Sequence, residues 1–186
     1  MARRWGLTVS LLAGASVIVL VTGFCAPATA RDRVRITSFV METAPRWWPY
    51  VDAVDEALAQ QDIPAALAAW REAHSWALAS PGWEGLLEVG HAGLRIADTA
   101  GLRGAFVPRA REHYLTALLR ARHSGSVDGV LSAAESFATI GDLGVVRQSL
   151  LIAASLVTRQ PSAATTQRIE KLSRWTRDQM MAAVEH

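Results

Sequence analysis

The sequence predicts an all-α fold in which antiparallel helical hairpins stack on one another. Three observations carry this prediction. From about residue 50 onward, apolar side chains recur at three- and four-residue spacing, which gathers them on one face of a helix. Alanine, leucine, arginine and glutamate dominate the same region, and all of them favour helix. No stretch sustains two-residue alternation with β-branched enrichment; residues 34–41 form the one weak strand candidate.

Gly, Pro, Ser and Asp interrupt the pattern at 62–64, 80–82, 101–108, 124–126, 141–142 and 160–162. These breaks delimit helices near 50–61, 64–79, 83–98, 108–123, 127–140, 143–159 and 165–184. Ahead of the first helix, the cluster Trp47-Trp48-Pro49-Tyr50 reads as a staple of rings holding its start onto the stack. Its alternative is a binding edge or membrane-interface anchor. Trp70, Trp76, Trp83 and Trp175 take core-facing positions. In the third helix Gly85, Gly90 and Gly93, like Gly82 just before it, thin the backbone for close helix packing. Ser80, Ser124, Ser126 and Ser162 sit at turns, where N-capping explains them.

The first thirty residues differ from the rest. Arg3 and Arg4 precede an uncharged apolar run over 7–25, and Ala28-Thr29-Ala30 offers a small-x-small cleavage site. Residues 1–30 therefore read as an export signal, with an uncleaved membrane anchor as the second reading. Residues 31–46 read as a linker and 47–186 as the helical domain. The chain of 186 residues carries a formal charge of +2, and loss of Arg3 and Arg4 brings that to zero. Its one cysteine, Cys25, lies inside the apolar run, so the domain has no disulfide and no cysteine-ligated metal.

The breaks also align a repeat. Gln61-Asp62 followed by Ala66, Trp70 and Ala73 returns as Gly141-Asp142 followed by Val146, Leu150 and Ala153. Ala110, Tyr114 and Ala117 keep the same spacing between them. Small residues let paired helices approach closely, and the bulky residue between them fills the groove. Glycine at the tip suits a left-handed cap, and aspartate caps the next helix.

At Phe137, Gly141, Asp142, Val146, Leu150 and Ala153, and more loosely at Ala57, Asp62, Ala66, Trp70 and Ala73, the sequence resembles the tetratricopeptide repeat family. The resemblance covers about residues 47–161. It implies a TPR-like α-solenoid of about three units, with residues 165–184 as a C-terminal capping helix. The equivalent positions are spaced more widely than in the family, and the middle unit lacks a clear first-helix signature. It carries an apparent insertion of roughly ten residues around 98–108. A non-repeating helical bundle is the alternative architecture. The resemblance places Val51, Asp55 and Leu58 of the first unit, and Asp128, Leu131, Glu135 and Thr139 of the third, on a concave face that would receive a protein or peptide.

Motifs of chemistry are sparse. The histidines are His74, His91, His113, His123 and His186, with no pair at zinc-site spacing. His91 and Asp98 share a face at seven residues and read as a surface pair. The interspersed glycines follow no strand, so neither a phosphate loop nor a dinucleotide fingerprint is supported. No Gly-x-Ser-x-Gly elbow occurs. Arg109, His113, Thr116, Arg120 and His123 line one face of the fourth helix, within a segment that gathers six arginines between 95 and 122. That basic face would meet an acidic partner or phospholipid headgroups, or else simply be solvated, with Glu112 supporting Arg109 and Arg120. A neutral domain without aromatic interleaving in its basic segment argues against nucleic acid.

These readings converge on an exported, non-enzymatic scaffold without cofactor or metal, holding a protein or peptide partner in a helical groove. The alternatives are a membrane-anchored envelope assembly factor, a small-ligand-binding bundle, and an enzyme built on His91, Asp98 or the His113 face.

Overall fold

A computed structural model describes residues 44–184 apart from 159–161. The segment read as signal or anchor, the weak strand candidate at 34–41 and most of the linker lie outside the described residues. From Pro45 onward the described residues belong to one compact unit. Its helices are α1 (Trp48–Ala59), α2 (Ile63–Ala79), α3 (Glu84–Ala100), α4 (Arg103–His123), α5 (Val127–Thr139), α6 (Leu143–Val157) and α7 (Ala163–Val184). The described residues contain no strand, so the all-helical expectation holds.

Four of the turns share one construction. Gln61, Gly101, Gly125 and Gly141 adopt left-handed backbone, with φ of 59°, 68°, 70° and 76°. In each case the next amide donates back across the turn: Asp62 to the Ala57 carbonyl, Leu102 to Ala97, Ser126 to Ala121 and Asp142 to Phe137. These bonds satisfy carbonyls that the helix end leaves open. The residue that closes one helix then starts the next. The Asp62 carboxylate accepts from the Ala65 amide at 2.9 Å, the Ser126 hydroxyl from Gly129 at 3.0 Å and the Asp142 carboxylate from Val145 at 3.3 Å. Ser126 thus caps as expected, whereas Ser80 and Ser124 stand at helix C-termini.

The α2–α3 connection is built differently. Ser80 is extended, with ψ of 140°, and no left-handed residue closes α2. Arg120 of α4 supplies the missing donors instead. Its Nη1 donates to the carbonyls of Ser80 at 2.5 Å, Gly82 at 3.0 Å and Ala77 at 3.3 Å, and Nη2 to Leu78 at 3.0 Å.

The apparent insertion at 98–108 is no loop. α3 continues to Ala100, α4 starts at Arg103, and Pro108 lies inside α4. Proline there removes one hydrogen bond. The carbonyl it leaves unpaired belongs to Gly104, which is exposed and can turn to water.

Packing follows chain order. Each helix packs on its sequence neighbours, and α1–α3, α3–α5 and α5–α7 also touch. The three predicted triads occupy the buried faces of α2, α4 and α6: Ala66-Trp70-Ala73, Ala110-Tyr114-Ala117 and Val146-Leu150-Ala153 are all in the core. Gly85, Gly90 and Gly93 thin the backbone as expected, each beneath a ring, whereas Gly82 faces the Glu84 carboxylate. A Cβ on Gly90 would overlap Tyr114, and one on Gly85 would come within 2.6 Å of the Trp47 indole. Gly129 meets Trp83 in the same way, and Trp70 closes over Gly93 while donating to the Val89 carbonyl at 2.8 Å.

Candidate functional site

The odd-numbered helices α1, α3, α5 and α7 also pack on one another, and an open groove lies among them. A groove of about 700 Å³ runs between α3 and α5 and is also lined by Pro45, Trp47 and Trp48. Its α3 wall carries Glu84, Leu87, Glu88 and His91; its α5 wall carries Ser132, Glu135, Ser136 and Thr139. These positions recur at three- and four-residue spacing, so each helix offers one stripe to the groove. Indoles complete it. Trp47 is buried on Gly85, Trp48 is 45% exposed, and Trp83 closes the α3 end.

Within the groove, His91 Nε2 lies 3.0 Å from the Ser136 hydroxyl, which itself donates to the Ser132 carbonyl at 2.9 Å. Burial pushes His91 below its usual range and Arg95 pushes the same way, while Glu88 opposes them. The surface pair expected of His91 and Asp98 does not form. His91 meets Ser136 of α5, and its ring packs against Tyr114 of α4, at 5.3 Å between centroids. Asp98 instead takes Arg103, with both carboxylate oxygens within 2.8 Å of Nη1.

Two residues of the concave-face prediction line this groove and the rest do not. Glu135 and Thr139 line the groove, and Asp128 stands on the same helix. Val51 and Leu131 are 4% and 0% exposed. They belong to the core, because the apolar stripe of a helix packed on both neighbours points inward. Leu58 is half-buried against that core. Asp55 is exposed but held by Arg95 of α3, at 2.8 and 3.1 Å. Asp128 and Glu135 are held by Arg168 of α7, which donates to Asp128, to the Ser132 hydroxyl at 2.9 Å and to both Glu135 oxygens at 2.7 and 2.6 Å. These partners hold the Arg168 guanidinium more firmly protonated, Glu135 foremost.

The basic face read from Arg109, His113 and Arg120 is corrected. Arg120 is spent on the end of α2. His113 is buried, its Nδ1 donating to the Arg109 carbonyl at 2.6 Å. Burial chiefly lowers its pKa, with His74 adding to the effect. Arg109 lies over the Phe106 ring at 5.6 Å. Arg95, Arg103 and Arg111 each hold a carboxylate, Arg111 that of Asp142 at 2.7 Å. His74, His113 and Trp70 instead form a ring cluster, with 4.8 Å between the two imidazoles.

Among the described residues no three metal-ligating side chains come together, and no helix is long and apolar enough to cross a membrane. Comparison with protein-family models, with curated proteins and with solved structures gives no match to this chain.

Proposed function

We propose that this chain is a binding scaffold whose groove between α3 and α5 receives a segment of a protein or peptide partner. The single observation that carries this reading is the groove itself. It is open, walled by indoles and Leu87, and edged with polar side chains from two helices. Open apolar grooves with a few placed polar groups suit extended or helical peptides. Stacked hairpins of TPR-like type would be the architecture behind it. The repeated turns, the buried triads of α2, α4 and α6, and the packing of each helix on its neighbours and next neighbours support that architecture. Binding by shape and charge needs no bond made or broken.

The residues at 3–4, 7–25 and 28–30 support an address outside the cytoplasm. On this reading the mature chain starts at Arg31; an uncleaved anchor is the second reading of the same residues. Mass measurement of the mature N-terminus separates them.

The groove is tested by site-specific photo-crosslinking in the native compartment. A crosslinker replacing Thr139, in the groove, should trap a partner that one replacing Arg147, exposed on α6, does not. Equal trapping at both positions, or none at either, overturns the proposal.

A further inference from the structure

Resting on that groove reading, we infer that its occupant is a partner segment presenting an arginine or lysine flanked by apolar side chains. The argument begins with how the odd-numbered helices are joined. Between α1 and α3, Arg95 forks onto Asp55. Between α5 and α7, Arg168 forks onto Asp128 and Glu135. The middle junction, α3 to α5, carries the carboxylates of Glu84 and Glu88 on its α3 wall, opposite a Glu135 that Arg168 already holds, and no arginine or lysine among its lining residues. Glu84 and Glu88 have no ion pair among the described residues. They stand four apart on one helix, where like charges repel. His91 cannot fill the role, since its ring nitrogen is engaged with Ser136.

The groove therefore has the anionic half of a stitch that its two neighbours complete internally. Glu135 already accepts a guanidinium from α7, which shows the chemistry this row of helices reads. Indole faces attract the same group. Elsewhere in the chain Arg46 lies over the Trp76 ring at 5.1 Å. Trp47, Trp48 and Trp83 bring such faces to the groove, so a cation entering between carboxylates and indoles is matched on both sides. An anionic segment is repelled, and a purely apolar one leaves the carboxylates facing it without a partner.

The dimensions select a chain segment over a small free cation. Glu84 to His91 and Ser132 to Thr139 each span seven residues, about 10 Å of helix. An extended peptide covers that in about three residues, enough for one basic side chain and an apolar residue on either side.

The test selects a phage-displayed library of random heptapeptides on the protein as isolated from its own compartment. Enriched peptides are then measured by fluorescence anisotropy and by amide shifts at Leu87, Ser132 and Thr139. The proposal expects enriched peptides to carry arginine or lysine beside apolar residues and to shift those amides. Affinity should fall at least tenfold when the arginine becomes citrulline, or when the protein carries Glu84→Gln with Glu88→Gln. Both glutamines keep the side-chain shape at partly or fully exposed sites, and unchanged thermal unfolding confirms the fold. Peptides that shift the groove amides but lack basic residues, or ignore the glutamine changes, overturn the cationic occupant and leave the groove reading standing. A selection yielding no peptide that shifts those amides overturns both.

Discussion

The Arg120 guanidinium reaches the Ser80 carbonyl at 2.5 Å and so closes a helix forty residues away that has no cap of its own. The turns at Gln61, Gly101, Gly125 and Gly141 satisfy carbonyls with local backbone amides; this one depends on a side chain from α4. A guanidinium offers five donors in a rigid planar fork, whereas an ammonium offers three clustered at one point. Arg120→Ala should cost about 2–3 kcal/mol, since several charge-assisted bonds and the caps they satisfy are lost together. Arg120→Lys should recover only part of it. Urea unfolding of the three proteins measures both.

Gln61 occupies a left-handed position where the three equivalent turns use glycine. An L side chain there costs about 1–2 kcal/mol, partly offset by the larger unfolded-state entropy of glycine. Gln61→Gly should therefore stabilise by about 0.5–1 kcal/mol, read as a rise in thermal midpoint. Gly141→Ala should do the reverse.

Two helical glycines should respond oppositely to a methyl group. Gly90→Ala drives a Cβ into the Tyr114 ring and should cost about 1–3 kcal/mol through overpacking. Gly104→Ala meets nothing within 4 Å and should gain up to about 1 kcal/mol from helix propensity. Paired denaturant curves decide.

Arg168 ties α7 to α5, but its side chain is 32% exposed and Asp128 is 70% exposed, so solvent screens the network. Arg168→Ala should cost about 1 kcal/mol globally. Locally, hydrogen exchange should rise across α7 while α1–α4 stay protected.

His91 and His113 both have pKa values pushed below the ordinary 6.5, chiefly by burial. The unfolded chain then binds protons that the folded one refuses, so stability rises with pH. It is complete above about 6.5 and is lost as pH falls through the folded values. The thermal midpoint should drop between pH 7 and 5, and more shallowly in His113→Phe. NMR titration should place both rings below 6.5; a titration at or above that value sinks the prediction.

Much of the fold was legible because its signals are local. Gly141-Asp142 announces a left-handed cap followed by an N-cap, and both form. The triads on α2, α4 and α6 were readable because small-large-small spacing has one packing use. Pro108 misled, since a proline reads as a boundary unless the exposed Gly104 beneath it is taken into account. In the site, Glu135 and Thr139 were found through the third repeat, but the α3 wall was missed. Gly85, Gly90 and Gly93 obscured that helix, although the polar stripe Glu84, Glu88, His91 and Arg95 was there to mark its open face. Charge was the least legible. The segment 95–122 looked basic because its counter-charges are remote in sequence: Asp55 lies 40 residues before Arg95 and Asp142 lies 31 after Arg111.

Packing mainly between successive helices also sets an order of assembly. A chain emerging N-terminus first can lay each helix on its predecessor without waiting for a distant strand or loop, the low-contact-order condition for rapid folding. Arg120 is the exception. Until α4 has emerged, the end of α2 has no donor for its carbonyls. The end of α2 is therefore completed only when residue 120 joins the growing stack.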